Sequence, residues 1–398
     1  MNKSWIIYIL LFIPGILFSQ NFNKTGVAAF MDIKNENYSK AIDSLDKLIS
    51  ENPKSEFYLA KSEAYFKLGD LNAALEYCTK ADKIKSFCSS DLRLKVYLKA
   101  LDKENAIKTL NENLKSKYKI SLFNLLNSIE YSEIYNLELD SYILSGNFYS
   151  QTEKQLYQAG RLIDKEKSSQ ALFVVDQILS MNNNIADAHY LKSVVFFDAK
   201  DFQGALQSVS NAIKIKKTNP NYYEQRATIN TELKNYDEAL ADINKLIRLE
   251  PYEIENFINK ANLLFEIEHF DEAIELLNSI LEISHDNPDV LYLSGKSNYM
   301  KEDYFEALKA INQSLQIKTK KEYFELRGDI YTATYTFQYA VQDYSMYLDI
   351  EPFNGNIYAK KGLARFNLGD KKGACSDWKK GKRYGSYDAM NYLEKYCE

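Results

Sequence analysis

Turn-forming residues are scarce in this chain: fourteen glycines and six prolines in 398 residues. Leu, Ile, Ala, Lys, Glu and Tyr are plentiful instead, and that balance favours helices joined by short turns over a many-stranded sheet. Histidine is rarer still. His189, His269 and His285 lack metal-ligand spacing, and neither HExxH nor a paired CxxC occurs, which removes the common zinc sites. No GxxxxGK[ST], GxGxxG or GxSxG is present, so phosphate loops, dinucleotide turns and nucleophile elbows are excluded. S-x-x-K, as at Ser44 and Ser376, occurs without the SDN or KTG that would accompany it in a catalytic set. The 50 basic and 55 acidic residues give a net charge of −5 with no long run of either sign, whereas nucleic-acid binding calls for a basic face. The expectation is a non-catalytic protein with no cofactor, no metal and no nucleic-acid partner.

One apolar run stands at the amino terminus, where Lys3 precedes the stretch from Trp5 to Phe18 and the small Ser19 comes before Gln20. Fourteen apolar residues with Pro14 and Gly15 inside fall short of the ~20 that span a bilayer. Residues 1–19 therefore read as a cleaved secretory signal, and the expected destination is the periplasm, cell envelope or secreted space. The first cysteine is Cys78, so no lipid anchor on a new terminal cysteine is indicated, and no later stretch is apolar enough to cross a membrane.

Beyond the apolar run the sequence is periodic. Ala171, Ala205, Ala239, Ala273, Ala307, Ala340 and Ala374 are separated by steps of 34, 34, 34, 34, 33 and 34 residues, and a looser set, Ala41, Ala74 and Ala106, precedes them. Twelve residues before these alanines stand Ser62, Leu94, Ala159, Ser193, Ala227, Ala261, Gly295, Gly328 and Gly362, small in every case but Leu94. Pro53, Pro251 and Pro352 lie twelve residues after a column alanine, and Pro220 and Pro288 fifteen after. Proline tolerates helix ends and not helix middles, so the frame is a helix-turn-helix unit of 34 residues whose two small columns meet where the helices cross.

In one unit Phe324, Gly328, Tyr331, Phe337, Ala340, Tyr344 and Pro352 fall at the marker positions, with Arg327 replacing a leucine. This pattern resembles the tetratricopeptide repeat family. The resemblance covers nearly all of Phe22 to Gly385, strongly from Glu153 onward, and implies an all-α, right-handed solenoid of ten to eleven helix pairs. The expected organisation is a divergent block at 22–118, a degenerate repeat or recognition insert at 119–152, seven repeats at 153–385 and a capping helix at 386–398. From Ile120 to Glu153 there is no Lys or Arg.

Arg327, Gly328 and Asp329 spell RGD, which cell-adhesion ligands present from exposed loops, but here they fall within a first helix. Gly328 belongs to the small column. Arg327 has Asp343 sixteen residues on, as Arg226 has Asp242 and Lys361 has Asp377, so a recurring inter-helix ion pair accounts for the arginine. As exposed pairs these would add about 0.2–1 kcal/mol each. Four cysteines in an exported chain invite pairing of Cys78 with Cys88 and of Cys375 with Cys397, the alternative being buried thiols.

Members of the resembled family usually bind peptides or other proteins on a concave face of first helices, through repeat positions 2, 5, 9, 12 and 13. Carried onto this chain, those positions hold Asp187, Asp198, Glu224, Glu232, Glu255, Glu266, Asp289, Glu322, Glu325 and Asp329, against Lys296 alone. Tyr190, Phe197, Phe265, Tyr292 and Tyr299 lie among them. An acidic, aromatic face implies a basic or amphipathic protein segment as partner, and disfavours the Lys, Arg and Asn clamp that holds a terminal carboxylate. The competing reading is a glycan or envelope-polymer binding or processing protein that uses the 31 tyrosines as stacking platforms.

Overall fold

The computed structural model describes residues 23–116 and 148–397; the residues assigned to the signal and most of those at 119–152 lie outside them. The described residues form 21 helices and no strand. Two compact units divide the chain at Asn256 and Phe257.

The first unit contains α1 (Lys24–Lys34), α2 (Tyr38–Glu51), α3 (Ser55–Leu68), α4 (Leu71–Ile84), α5 (Ser90–Lys99) and α6 (Lys103–Lys115). After the undescribed stretch come α7 (Gln151–Asp164), α8 (Ser168–Met181), α9 (Ala186–Asp198), α10 (Phe202–Ile215), α11 (Pro220–Glu232) and α12 (Tyr236–Leu249). Helix α13 (Ile254–Glu266) begins in this unit. The second unit continues with α14 (Phe270–Leu281), α15 (Pro288–Met300), α16 (Tyr304–Ile317), α17 (Lys321–Ala333), α18 (Phe337–Ile350), α19 (Gly355–Asn367), α20 (Lys371–Arg383) and α21 (Tyr387–Tyr396). Within each unit helices pack in consecutive pairs, and the second helix of one pair meets the first of the next.

The period has a physical origin at two places in every pair and, in half of the pairs, at a third. All ten column alanines, from Ala41 to Ala374, are buried, because the helices approach there too closely for a larger side chain. The turn between paired helices needs one residue in the left-handed region, supplied by Glu36, Leu101, Glu166, Lys200, Lys234, Glu268, Glu302 and Tyr335, and by glycine at Gly69 and Gly369. At several turns an aspartate immediately before the second helix caps it: Asp70, Asp102, Asp201, Asp303 and Asp370 each accept from the backbone N–H of the third helical residue. Pro220 and Pro288 open α11 and α15, where the missing N–H costs nothing.

At two positions the second small column is matched in size to an aromatic partner sixteen residues on. A Cβ on Gly328 would stand 2.7 Å from the Tyr344 ring, and one on Gly362 would run into the Trp378 ring. Where that partner is Ile243, the column residue is Ala227. At these two crossings glycine makes room for an aromatic ring; Gly295, with Ile311 sixteen residues on, meets no ring.

The recurring ion pairs are more buried than exposed pairs would be. Arg226 donates from Nε and Nη2 to Asp242 at 2.8 and 2.7 Å, and Arg327 does the same to Asp343. Both aspartates are buried. In the third instance Lys361 does not make the pair; Arg365, one turn later, reaches Asp377 at 2.9 Å. The RGD tripeptide is consumed by packing: Arg327 holds Asp343, Gly328 faces the Tyr344 ring, and Asp329 accepts from the Tyr344 hydroxyl and the Lys360 ammonium, both at 2.7 Å.

Helix α21 covers the last pair with Tyr392 and Tyr396 against Trp378, at ring separations of 5.2 and 5.9 Å. Cys375 and Cys397 are bonded, tying α21 to α20. Cys78 and Cys88 are free thiols. Cys78 is buried in α4 against the Ser62 hydroxyl at 3.2 Å, and burial pushes the Cys88 thiol up to about 11, with Asp82 adding to the rise. The histidines are structural or exposed: His189 is buried with Nε2 2.9 Å from the Asn183 carbonyl, His269 pairs with Glu272, and His285 is exposed.

Candidate partner-binding face

Every acid expected on this face lies on a first helix: Asp187 and Asp198 on α9, Glu224 and Glu232 on α11, Glu255 and Glu266 on α13, Asp289 on α15, and Glu322, Glu325 and Asp329 on α17. Their surroundings divide them sharply.

One group fastens neighbouring repeats together. The Tyr222 hydroxyl donates to Asp187, and the Tyr190 ring packs on Tyr222 with centroids 5.3 Å apart. The arrangement recurs three repeats later, where the Tyr323 hydroxyl donates to Asp289 at 2.7 Å and Tyr292 stacks on Tyr323 at 5.0 Å. Lys320 adds a second donor to Asp289. Burial of Asp289 works to raise its pKa, but the Lys320 and Tyr323 hydrogen bonds outweigh it and hold the carboxyl below its ordinary value. Lys360 spans Glu325 and Asp329 at 2.8 and 2.7 Å. Burial raises the Asp329 carboxyl despite that cation, and pushes the Tyr344 phenol up, with the Asp329 charge reinforcing the shift.

Glu255 belongs to a contact far away in sequence. Lys34, at the end of α1, pairs with Glu253 and, at 3.1 Å, with Glu255. Beside it Tyr252 is buried between Phe30 and Phe57, 5.0 and 5.2 Å from their centroids, and its hydroxyl accepts from Lys54 at 3.2 Å. The first helix pair of this unit is thus joined to the turn that opens α13.

A second group is open. Asp198, Glu224, Glu232 and Glu266 are exposed and make no ion pair among the described residues. Glu322 is exposed, with Lys321 3.9 Å away.

The expected aromatics divide likewise. Phe197, Phe265 and Tyr299 close the turn of their own pairs against Phe202, Phe270 and Tyr304, at 5.5, 5.4 and 6.0 Å. Phe265 is only 9% exposed, and the Lys296 ammonium sits 4.2 Å over its ring. Those rings are packing residues. Tyr190 and Tyr292 remain half-buried on the helix face, so each offers an edge. The functional pairs missed by position alone are Tyr222 with Asp187 and Tyr323 with Asp289; their sequence signal is an Asp-x-x-Tyr followed about one repeat later by tyrosine, present at 187/190/222 and 289/292/323.

No group of three or more metal-ligating side chains occurs among the described residues.

Comparison with known proteins bears on the fold. Residues 164–246 match the family described as anaphase-promoting complex, cyclosome, subunit 3, and residues 32–87 and 231–297 match two families of tetratricopeptide repeats. No curated protein matches the chain. Among solved structures, a tetratricopeptide repeat protein from Parabacteroides merdae is 20% identical with a TM-score of 0.51, over 62% of this chain and 99% of that one. The anaphase-promoting complex hetero-tetramer Cut9-Hcn1 is 13% identical with a TM-score of 0.50, over 94% of this chain and 83% of that one. These likenesses fix the architecture as an all-α repeat solenoid. Because the same 34-residue spacing governs the buried alanines, the left-handed turn residues and the capping aspartates, and repeat families match both early and late segments, the chain is a tetratricopeptide-repeat protein.

Proposed function

We propose that this protein is a non-catalytic, exported scaffold that binds a basic or amphipathic segment of another protein along the first helices of its repeats. The observation that carries the reading is the trio Asp198, Glu224 and Glu232, exposed on α9 and α11 and without an ion pair among the described residues. Some other charged residues of these repeats are engaged, Lys192 with Asp176 and Arg226 with Asp242. Solvated carboxylates, of which Glu224 acts on the Tyr190 phenol, attract cations and leave a ring for contact. Export rests on the sequence of residues 1–19.

The discriminating measurement is fluorescence anisotropy with two synthetic peptides of equal length, one carrying lysine among aromatic residues and the other glutamate in the same places. The basic peptide is expected to bind more tightly, and to weaken as salt rises. The variant Asp198→Lys, Glu224→Lys, Glu232→Lys is expected to abolish that preference while melting as the parent does. Glu255 and Asp289 are unsuitable for reversal because each holds an internal cation. Equal binding of both peptides, or a triple reversal without effect, overturns the reading.

A further inference from the structure

Helix α20 reads KKGACSDWKKGKR, with six basic residues and the single acid Asp377, in a chain whose net charge is −5. At 100° per residue Lys371, Lys372, Lys379, Lys380, Lys382 and Arg383 fall within one half of the helix circumference. The opposite half carries Ala374, Asp377, Trp378 and Gly381, all buried. All six cations are exposed, and none is ion-paired among the described residues. Asp377 does not offset them, since it is buried and its ion pair is with Arg365. The solvent face of α20 is therefore a cationic strip roughly 18 Å long.

A second feature sits at its carboxy-terminal end. Phe353, in the turn between α18 and α19, is 71% exposed and lies edge-on to the Tyr384 ring at 5.4 Å. Tyr387, at the start of α21, is 70% exposed, and Met390 one turn later is exposed as well. Large apolar groups are thus presented near the Lys382 and Arg383 end of the strip, on the surface and not inside a groove.

We infer that this end of the molecule docks on an anionic phospholipid surface. Lysine and arginine beside anionic headgroups are each worth about 1 kcal/mol, and aromatic rings favour the interfacial layer. Five of the six cations are lysines, point charges suited to a diffuse layer of headgroups, where a nucleic-acid reader uses arginine forks and stacking platforms in a channel. The attachment is superficial: among the described residues no helix is long and apolar enough to cross a membrane. This surface lies on a different helix from the acidic face and does not depend on the partner proposed for it.

Vesicle flotation with the full chain tests the inference. Vesicles of phosphatidylcholine with about one-third phosphatidylglycerol, an anionic content chosen for a strong surface potential, are expected to carry far more protein than phosphatidylcholine alone, with the difference erased at high salt. Lys379→Gln, Lys382→Gln, Arg383→Gln is expected to weaken partitioning onto the anionic vesicles about 100-fold. Lys214→Gln, Lys216→Gln, Lys217→Gln, exposed lysines of another repeat, is expected to leave it unchanged. Phe353→Ser is expected to lower it several-fold. Equal flotation on both vesicle types, or the same loss from both triple variants, overturns the proposal. So does binding of a single-stranded oligonucleotide or an acidic peptide through the α20 lysines when the anionic vesicles are ignored.

Discussion

The helix pairs α11–α12 and α17–α18 sit 101 residues apart and share one framework while solving its central crossing in opposite ways. Each carries a bidentate arginine–aspartate pair, Arg226 with Asp242 and Arg327 with Asp343, and each buries its column alanine, Ala239 and Ala340. At the crossing the first pair places Ala227 and Ile243, with Thr228 bonding back to its own helix. The second places Gly328 and Tyr344, with the phenol reaching Asp329 and through it Lys360 of the next repeat. One additional oxygen turns an apolar crossing into a link between repeats, and the glycine is its steric requirement.

The strongest way to test the shared part is to remove the arginines. Arg226→Leu and Arg327→Leu each leave a buried aspartate without its counter-charge, and each is expected to cost about 3 kcal/mol. Urea denaturation should show losses of similar size, several times what exposed pairs would give. Adding Asp242→Asn or Asp343→Asn should recover much of the loss, because the stranded charge is then gone. Losses below about 1 kcal/mol for both single variants, the range of exposed pairs, would mean that solvent reaches the aspartates freely.

The next test addresses the difference. Gly328→Ala pushes a methyl group into the Tyr344 ring and is expected to cost about 1–3 kcal/mol by overpacking. Combined with Tyr344→Ile, which installs the residue of the other pair, the same alanine should become neutral or favourable, since helical Ala exceeds Gly by about 1 kcal/mol. Additive effects in the double-variant cycle would show that the two positions are not size-matched.

Much of this framework was legible from the sequence, because a repeat that buries the same atoms at the same places leaves a column. The period alone marks Ala239 and Gly328 as crossing residues. The state of the acids could not. Position 2 marks Asp187 and Asp289 as face residues, yet whether a tyrosine hydroxyl from the following repeat reaches them depends on the rotation between repeats, which a period does not encode. The contact of Lys34 with Glu253 and Glu255 is still less accessible, since it sums such rotations over many repeats. The basic half of α20 was hidden by whole-chain charge: Asp377 interrupts the run in sequence but not on the surface.

A smaller effect is expected from the phenol oxygen itself. Tyr344→Phe keeps the ring against Gly328 and removes one donor from Asp329, at a cost of about 1 kcal/mol near neutral pH. Burial already holds the Asp329 carboxyl above its ordinary value, so the native state binds that proton more tightly than the unfolded chain. The handicap of the buried charge is therefore relieved as pH falls through the folded pKa, and relief is complete below the unfolded value of about 3.9. Losing the phenol donor should raise the folded value further and start that relief at higher pH. A carboxyl carbon NMR titration in which Asp329 titrates identically in parent and variant would remove the phenol from the account.

The smallest expected effect lies in the turns. Lys234 and Tyr335 are the corresponding left-handed residues of the two pairs, with φ of 60° and 58°. A β-carbon in this region costs about 1–2 kcal/mol, partly offset by the greater freedom that glycine gives the unfolded chain. Lys234 is exposed, so Lys234→Gly should stabilise its pair by about 0.5 kcal/mol on that difference. Tyr335 also meets the Phe337 ring edge-on at 6.0 Å, and glycine has no ring to offer in its place. Tyr335→Gly should therefore gain less than Lys234→Gly or nothing, and matched urea midpoints read the sign. A larger gain at Tyr335 than at Lys234 would show that the exposed ring hinders its turn and that its packing on Phe337 does not stabilise the pair.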